Sequence, residues 1–273
     1  IEQVEQQKYR FSLLNADNKM EISQASIVGD SIQVPLSIFD ASLAIKIESP
    51  DQLSGTYTKH DAVDYHIPIT AYPSEKRFDI PTNGAVHSLD GKWDITITEK
   101  DGRQIPAIGT FESDSTGRLT GTIITSAGDY RFLEGYAKNN EFRLSTFDGA
   151  HAFLFHADLS TDQKQLLNGE YWSGKGGYRT FVGKKNPNAD LRDLSQDVYL
   201  KEGYDRIQFE FPDEEGTTVS LDDPQFEDKV LIVQIFGTWC PNCMDETIFL
   251  SDWYERNKRR GVEVIALAYE VKD

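Results

Sequence analysis

The sequence predicts an α+β multidomain chain: an all-β N-terminal part, barrel-like or sandwich, followed by the opening of an α/β domain. Three observations carry this expectation. Residues 1–188 hold short alternating and β-branched stretches between turn-rich clusters, with no helical period of useful length. A Leu-x-Gly pattern recurs within them. From residue 207 onward the character changes to short strands, a continuous apolar run, a helical stretch and a second apolar run.

In the β-rich part, residues 93–98 (WDITIT), 119–125 (LTGTIIT) and 152–159 (AFLFHADL) read as strands. Glu99-Lys100-Asp101-Gly102, Ser113-Asp114-Ser115-Thr116-Gly117 and Ala137-Lys138-Asn139-Asn140 read as the hairpin turns between strands. Leu-x-Gly stands at 53–55, 89–91, 119–121, 133–135 and 167–169, usually with an aromatic just beyond. Glycine there permits the bulge or bend that a closing sheet needs. An aromatic two positions on shares the glycine's face and can plug a barrel end. Gly91-Lys92-Trp93 resembles the Gly-x-Trp that opens lipocalin-type barrels, and a sandwich with aromatic plugs is the alternative. This predicts a β-rich domain over 1–188, a linker over 189–206 with a short helix or loop, and an α/β domain over 207–273.

Within the last of these, 207–211 and 217–221 read as short strands. Residues 230–236 (VLIVQIF) form an apolar run expected of a strand buried on both faces. A helix from 240 to about 260 and a buried strand over 262–269 (VEVIALAY) complete a right-handed βαβ unit.

The chemistry sits where that helix begins. Cys240-Pro241-Asn242-Cys243 are the chain's two cysteines and the pair of residues between them. Side chains three apart on a helix lie about 5–6 Å apart, which suits a disulfide. Cys240 is expected at the helix N-terminus, with Pro241 at the first helical position, where a missing N–H costs nothing. Orphan amides and the positive helix end favour a thiolate there. Lowering a thiol pKa from about 8.5 to about 7 corresponds to about 2 kcal/mol. Cys243, one turn in and expected to be more buried, then resolves the mixed disulfide that Cys240 forms. A permanent staple is the bland alternative, but so short a loop constrains the unfolded chain little.

Residues 209–269 resemble the TlpA-like thioredoxin-fold proteins, bacterial envelope oxidoreductases. The resemblance lies in 217–221 (TTVSL), 229–236 (KVLIVQIF), Gly237-Thr238-Trp239-Cys240-Pro241-Asn242-Cys243 and 261–267 (GVEVIAL). It implies Cys240 as the attacking and Cys243 as the resolving cysteine. It places Glu246 where members often keep a partly buried carboxylate, suited to take the proton of Cys243. Gln234 falls where thioredoxin has a buried aspartate, and an amide cannot act as a base. Trp239, Pro241, Asn242 and Gln234 are expected to pack around the dithiol. The family's fold continues with a further helix, a hairpin bearing a cis-proline and a last helix, so the resemblance implies a longer native chain. Residues 262–269 are then expected to expose an apolar edge.

Composition narrows the partners. A net charge of −17 argues against nucleic acid and anionic lipid surfaces. His60, His66, His87, His151 and His156 stand far from the cysteines, so no metal and no cofactor is expected. The chain begins at Ile1 without a methionine or a leader, so a removed signal segment or a trimmed start is expected. The resemblance implies a periplasmic or envelope location, with a lipid anchor at a removed N-terminus as one form. It also implies disulfide-bearing client proteins and an upstream membrane thiol-disulfide carrier. A thiol peroxidase would need Pro-x-x-x-Thr/Ser-x-x-Cys, and those positions hold Val233 and Gly237. A ligand-binding β-barrel module with an accessory redox domain is the other alternative. Phe111, Tyr130, Phe132, Phe147, Phe153, Phe155, Tyr171 and Trp172 are its candidate pocket lining, although core packing explains such rings equally.

Overall fold

The computed structural model describes residues 2–5, 8–28, 31–74, 76–190 and 199–270. By its internal contacts the chain divides into two units, residues 1–191 and 192–273. The first unit holds two antiparallel sheets, each with its own apolar core.

The first sheet is a seven-stranded meander: β1 (Glu2–Glu5), β2 (Lys8–Asn15), β3 (Asn18–Val28), β4 (Ser31–Leu36), β5 (Ala41–Ser49), β6 (Gln52–Lys59) and β7 (His66–Ala71). Alternation in β4 and β5 turns Ile32, Val34, Leu36, Leu43 and Ile45 to one buried face.

The second sheet contains β8 (Gly91–Thr98), β9 (Gln104–Ser113), β10 (Arg118–Thr125), β11 (Gly128–Asp129), β12 (Leu133–Lys138), β13 (Glu141–Phe147), β14 (Ala152–Leu159), β15 (Gln165–Ser173) and β16 (Gly177–Lys185). Apart from the two-residue β11, each strand pairs with the next in the chain, and β16 returns to pair with β8. The result is a closed eight-stranded barrel, so the barrel expectation holds and the sandwich does not. It occupies residues 91–185 rather than the whole β-rich stretch; the strands before it form the separate meander.

The recurrent glycines act largely as expected. Trp93, Tyr57 and Tyr171, each two positions after such a glycine, are all buried. The indole N–H of Trp93 donates to the carbonyl of Leu89 at 2.8 Å, which satisfies its buried polar atom. In β15 the ladder slips between Leu166 and Gly169, the bulge this motif permits.

The pocket expected from the aromatic set is corrected here. Phe111, Phe155 and Tyr171 are buried with Phe142 and Phe181 inside the barrel, and Phe155 stacks on Tyr171 at 4.4 Å. Tyr130 and Phe153 pack against the same cluster. An eight-stranded barrel is just wide enough for side chains to fill, and these rings fill it. Phe132 is exposed, Phe147 belongs to the meander's core, and Trp172 packs on Tyr178.

The meander packs on the hairpin turn after β13. Tyr57 donates its hydroxyl to the carbonyls of Gly149 and Ala150 at 3.1 and 3.3 Å. Asn15 exchanges two hydrogen bonds with the Phe147 backbone. Gly149 has φ +98°, and a side chain there would collide with the Phe39 ring.

The second unit begins with a small hairpin, β17 (Glu210–Pro212) and β18 (Thr218–Ser220). Both strands are shorter than the expected 207–211 and 217–221, and the turn between them is closed by the Asp213 carboxylate, which accepts the amides of Glu215 and Thr217. Then come β19 (Val230–Phe236), α1 (Pro241–Asn257) and β20 (Val262–Ala268), with β19 and β20 parallel and in register from Val230↔Val262 to Phe236↔Ala268. This is the opening βαβ of a thioredoxin-like domain. Burial of β19 on both faces is not found: Val230 and Ile235 are 67% and 71% exposed. Among the described residues only β20 pairs with β19, and α1 is the only helix longer than one turn to pack on this two-stranded sheet. Of the linker expected over 189–206, residues 191–198 lie outside the described residues.

Candidate active site

Parallel strand β19 delivers the chain to the turn 237–239, and α1 starts immediately after Cys240. Cys240 is the N-cap, with extended dihedrals (φ −102°, ψ 104°), and Pro241 follows at the first helical turn, buried. The Cys240 carbonyl accepts the Met244 amide at 3.1 Å, the first bond of the helix. Cys240 and Cys243 form a disulfide with their Cα atoms 5.3 Å apart. The Cys243 amide donates to Cys240 Sγ at 3.3 Å, so an orphan donor of the helix start is aimed at the first sulfur. Both cysteines are half-buried. Position separates the two sulfurs: Cys240 caps the helix and Cys243 lies within its first turn.

Beneath the pair, Gln234 is buried on β19. Its amide nitrogen donates to Glu246 Oε2 at 3.0 Å and to the Cys243 carbonyl at 3.4 Å. Thr247 closes the cluster, its hydroxyl lying 2.8 Å from the Cys243 carbonyl and 3.2 Å from Gln234 Oε1. Glu246, expected to be partly buried, is instead exposed; what fixes its carboxylate is the Gln234 amide. Asn242 is half-buried between the cysteines.

Trp239 is also exposed (44%). Its indole N–H donates to the Tyr269 carbonyl at 3.0 Å, and its ring lies where a side chain on Gly237 would be. Glu270 accepts both the amide and the hydroxyl of Thr238 at 2.9 Å, which ties the turn before Cys240 to the end of β20. Sequence reasoning missed Thr247 and Glu270. Thr247 carried a signal, standing four residues after Cys243 on the same helix face. Glu270 carried none, because only the pairing of β19 with β20 brings it to Thr238. Among the described residues no group of three or more His, Cys, Asp or Glu side chains could hold a metal ion.

The dithiol geometry lies inside a stretch that known proteins share. Residues 203–273 match the AhpC/TSA family. Over 80 residues the chain is 32% identical to the thiol-disulfide oxidoreductase ResA of Bacillus cereus (strain ATCC 10987 / NRS 248), an overlap of 29% of this chain and 45% of that one. Its likeness to ResA of Bacillus thuringiensis subsp. konkukian (strain 97-27) is 33% over 85 residues, 29% of this chain and 48% of the relative. ResA of Oceanobacillus iheyensis is 27% identical over 89 residues, 33% of this chain and 37% of its own. The chain thus spans less than half the length of these curated relatives.

Proposed function

We propose that this chain is a thiol-disulfide oxidoreductase that reduces disulfides of client proteins in the bacterial cell envelope. The observation that carries the reading is the Cys240–Cys243 bridge across the first turn of α1, with the Cys243 amide directed at Cys240 Sγ. The same amide and the positive helix end favour a thiolate at Cys240 once the bridge is reduced. That thiolate attacks one sulfur of the client disulfide. A mixed disulfide forms, and the other client sulfur leaves as a thiolate that takes up a proton. Cys243 then gives up its proton, with Glu246 as the assigned acceptor, and its sulfur attacks Cys240 Sγ. The mixed disulfide breaks and the second client thiol leaves. Two electrons have passed to the client, and the 240–243 bridge is closed again. A membrane thiol-disulfide carrier is the proposed source of the electrons that reopen it. Gln234 positions Glu246, while Trp239, Pro241 and Asn242 shape the surface presented to the client.

The relatives named thiol-disulfide oxidoreductases support the reaction class. The test is a trap. Reduced Cys243→Ser protein is mixed with insulin and resolved without reductant. A mixed disulfide through Cys240 is expected to accumulate, the unsubstituted chain to release insulin thiols, and Cys240→Ser to do neither. If no adduct forms and Cys240 is alkylated with the pH profile of an ordinary thiol near about 8.5, the reading is wrong.

A further inference from the structure

Most of the described residues between β7 and β8 have no regular structure, yet they are fastened to the outside of the barrel. Phe78 packs edge-on to Tyr136 of β12, and Arg143 of β13 lies over its ring. Arg77 donates to the Leu14 carbonyl and to Asn15 Oδ1 at the end of β2. Between this segment, the end of β2 and the outer face of β12 lies a cleft of about 880 Å³. That size is in the range of small-molecule sites, roughly 300–1,000 Å³. It is distinct from the barrel interior, which the apolar core cluster occupies.

Its charge runs against that of the chain. The lining holds four cations, Lys76, Arg77, Arg118 and Lys138, against two carboxylates, Asp114 and Glu134, in a chain of net charge −17. Both carboxylates are engaged. Glu134 accepts from Arg118 and from the Ala16 amide, and Asp114 accepts from Thr116 and the Arg118 amide. Arg118 is further held by Asp17. The two terminal nitrogens of Arg77 donate to neutral oxygens. Lys138 is different: it is 6% exposed, and its ammonium has one partner among the described residues, the neutral carbonyl of Thr82 at 3.4 Å. Lysine is almost never so buried without a countercharge, because desolvation of the ion goes uncompensated. Beside it the wall is apolar, with Leu14, Phe78, Ile80 and Val86.

From this juxtaposition we infer that the cleft is a binding site for a small amphipathic monocarboxylate, its headgroup on Lys138 and its apolar body along Phe78 and Ile80. Lys138 offers the apolar wall one buried ammonium whose single partner among the described residues is a neutral carbonyl, which suits one carboxylate headgroup. The site is independent of the dithiol, so it stands or falls apart from the redox reading.

Octanoate and its neutral counterpart 1-octanol, titrated into the whole chain by calorimetry, provide the test. Octanoate is expected to bind once per chain and more tightly than octanol by roughly tenfold or more, as for a charge-assisted hydrogen bond. Lys138→Met is expected to abolish that preference and Lys138→Arg to keep it. Val86→Trp, which fills the cleft from its wall, is expected to remove binding of both compounds. The inference is overturned if octanoate does not bind, if it binds no better than octanol, or if the preference survives in Lys138→Met. Should Lys138→Met not fold, the octanoate-to-octanol ratio and Val86→Trp decide the matter.

Discussion

Asp148 sits in the turn between β13 and β14, on which the meander packs, with 2% exposure. Burial alone raises its pKa, but His151, by hydrogen bond and charge, together with the amides of His151 and Ala150, outweighs that, and the carboxyl is held below its ordinary value. A depressed folded-state pKa contributes stability that is present above the unfolded pKa of about 3.9 and lost as pH falls through the folded value. Asp148→Asn keeps an acceptor for both amides but offers His151 no charge. It is expected to lower unfolding free energy at pH 7 by about 1 kcal/mol or more. The difference should shrink as pH is taken below the ordinary carboxylate range, as read by urea unfolding at pH 7 and pH 3. A gap independent of pH would contradict the assignment. At this scale the sequence was legible where chemistry fixes spacing: two cysteines three apart at a strand-to-helix junction have few other uses. Lys138 was not legible, since its one partner among the described residues, Thr82, lies 56 positions away in the chain.

The barrel strands approach one another most closely where glycine allows it. A Cβ on Gly135 of β12 would meet the carbonyl oxygen of Arg143 on β13, and Gly121 and Gly169 face neighbouring carbonyls of Thr110 and Phe181 in the same way. Gly135→Ala must therefore push β12 from β13, at an expected cost of about 1–3 kcal/mol. Gly176, in the β15–β16 turn, has no atom near its would-be Cβ and no positive φ, so Gly176→Ala should stay within about 0.5 kcal/mol of the unsubstituted chain. Denaturant unfolding of the two variants side by side checks the contrast. Equal effects would mean that close strand approach at Gly135 does not matter. The Leu-x-Gly motifs marked these positions as sites of a bulge or bend, but showed neither the close strand approach nor the division into two sheets. Leu53-Ser54-Gly55-Thr56-Tyr57 in β6 looks the same as its barrel counterparts, because local alternation records which face is buried and not which strand is the partner. Closure of β16 on β8 joins residues some 90 positions apart, and no local signal encodes it.

Across the whole molecule, charge and apolar exposure oppose each other. The chain carries −17. In the second unit Val230, Ile235, Ile248, Phe249 and Tyr269 are each more than 60% exposed. Apolar surface of this kind drives association at short range, whereas like net charge keeps copies apart at long range. Salt acts on the two unequally: the screening length falls from about 30 Å at 0.01 M to about 10 Å at 0.1 M, while burial of apolar area is not screened. Self-association of this 273-residue chain is therefore expected to rise with ionic strength. Sedimentation velocity at 0.01 M and 0.5 M sodium chloride measures it. Ile235→Glu removes an exposed apolar side chain and adds a charge, and should hold the chain monomeric at both concentrations. A surface ion-pair contact between copies would behave in the opposite way, weakening as salt is added. Dissociation at 0.5 M would therefore assign the attraction to charge rather than to the open face of the βαβ unit.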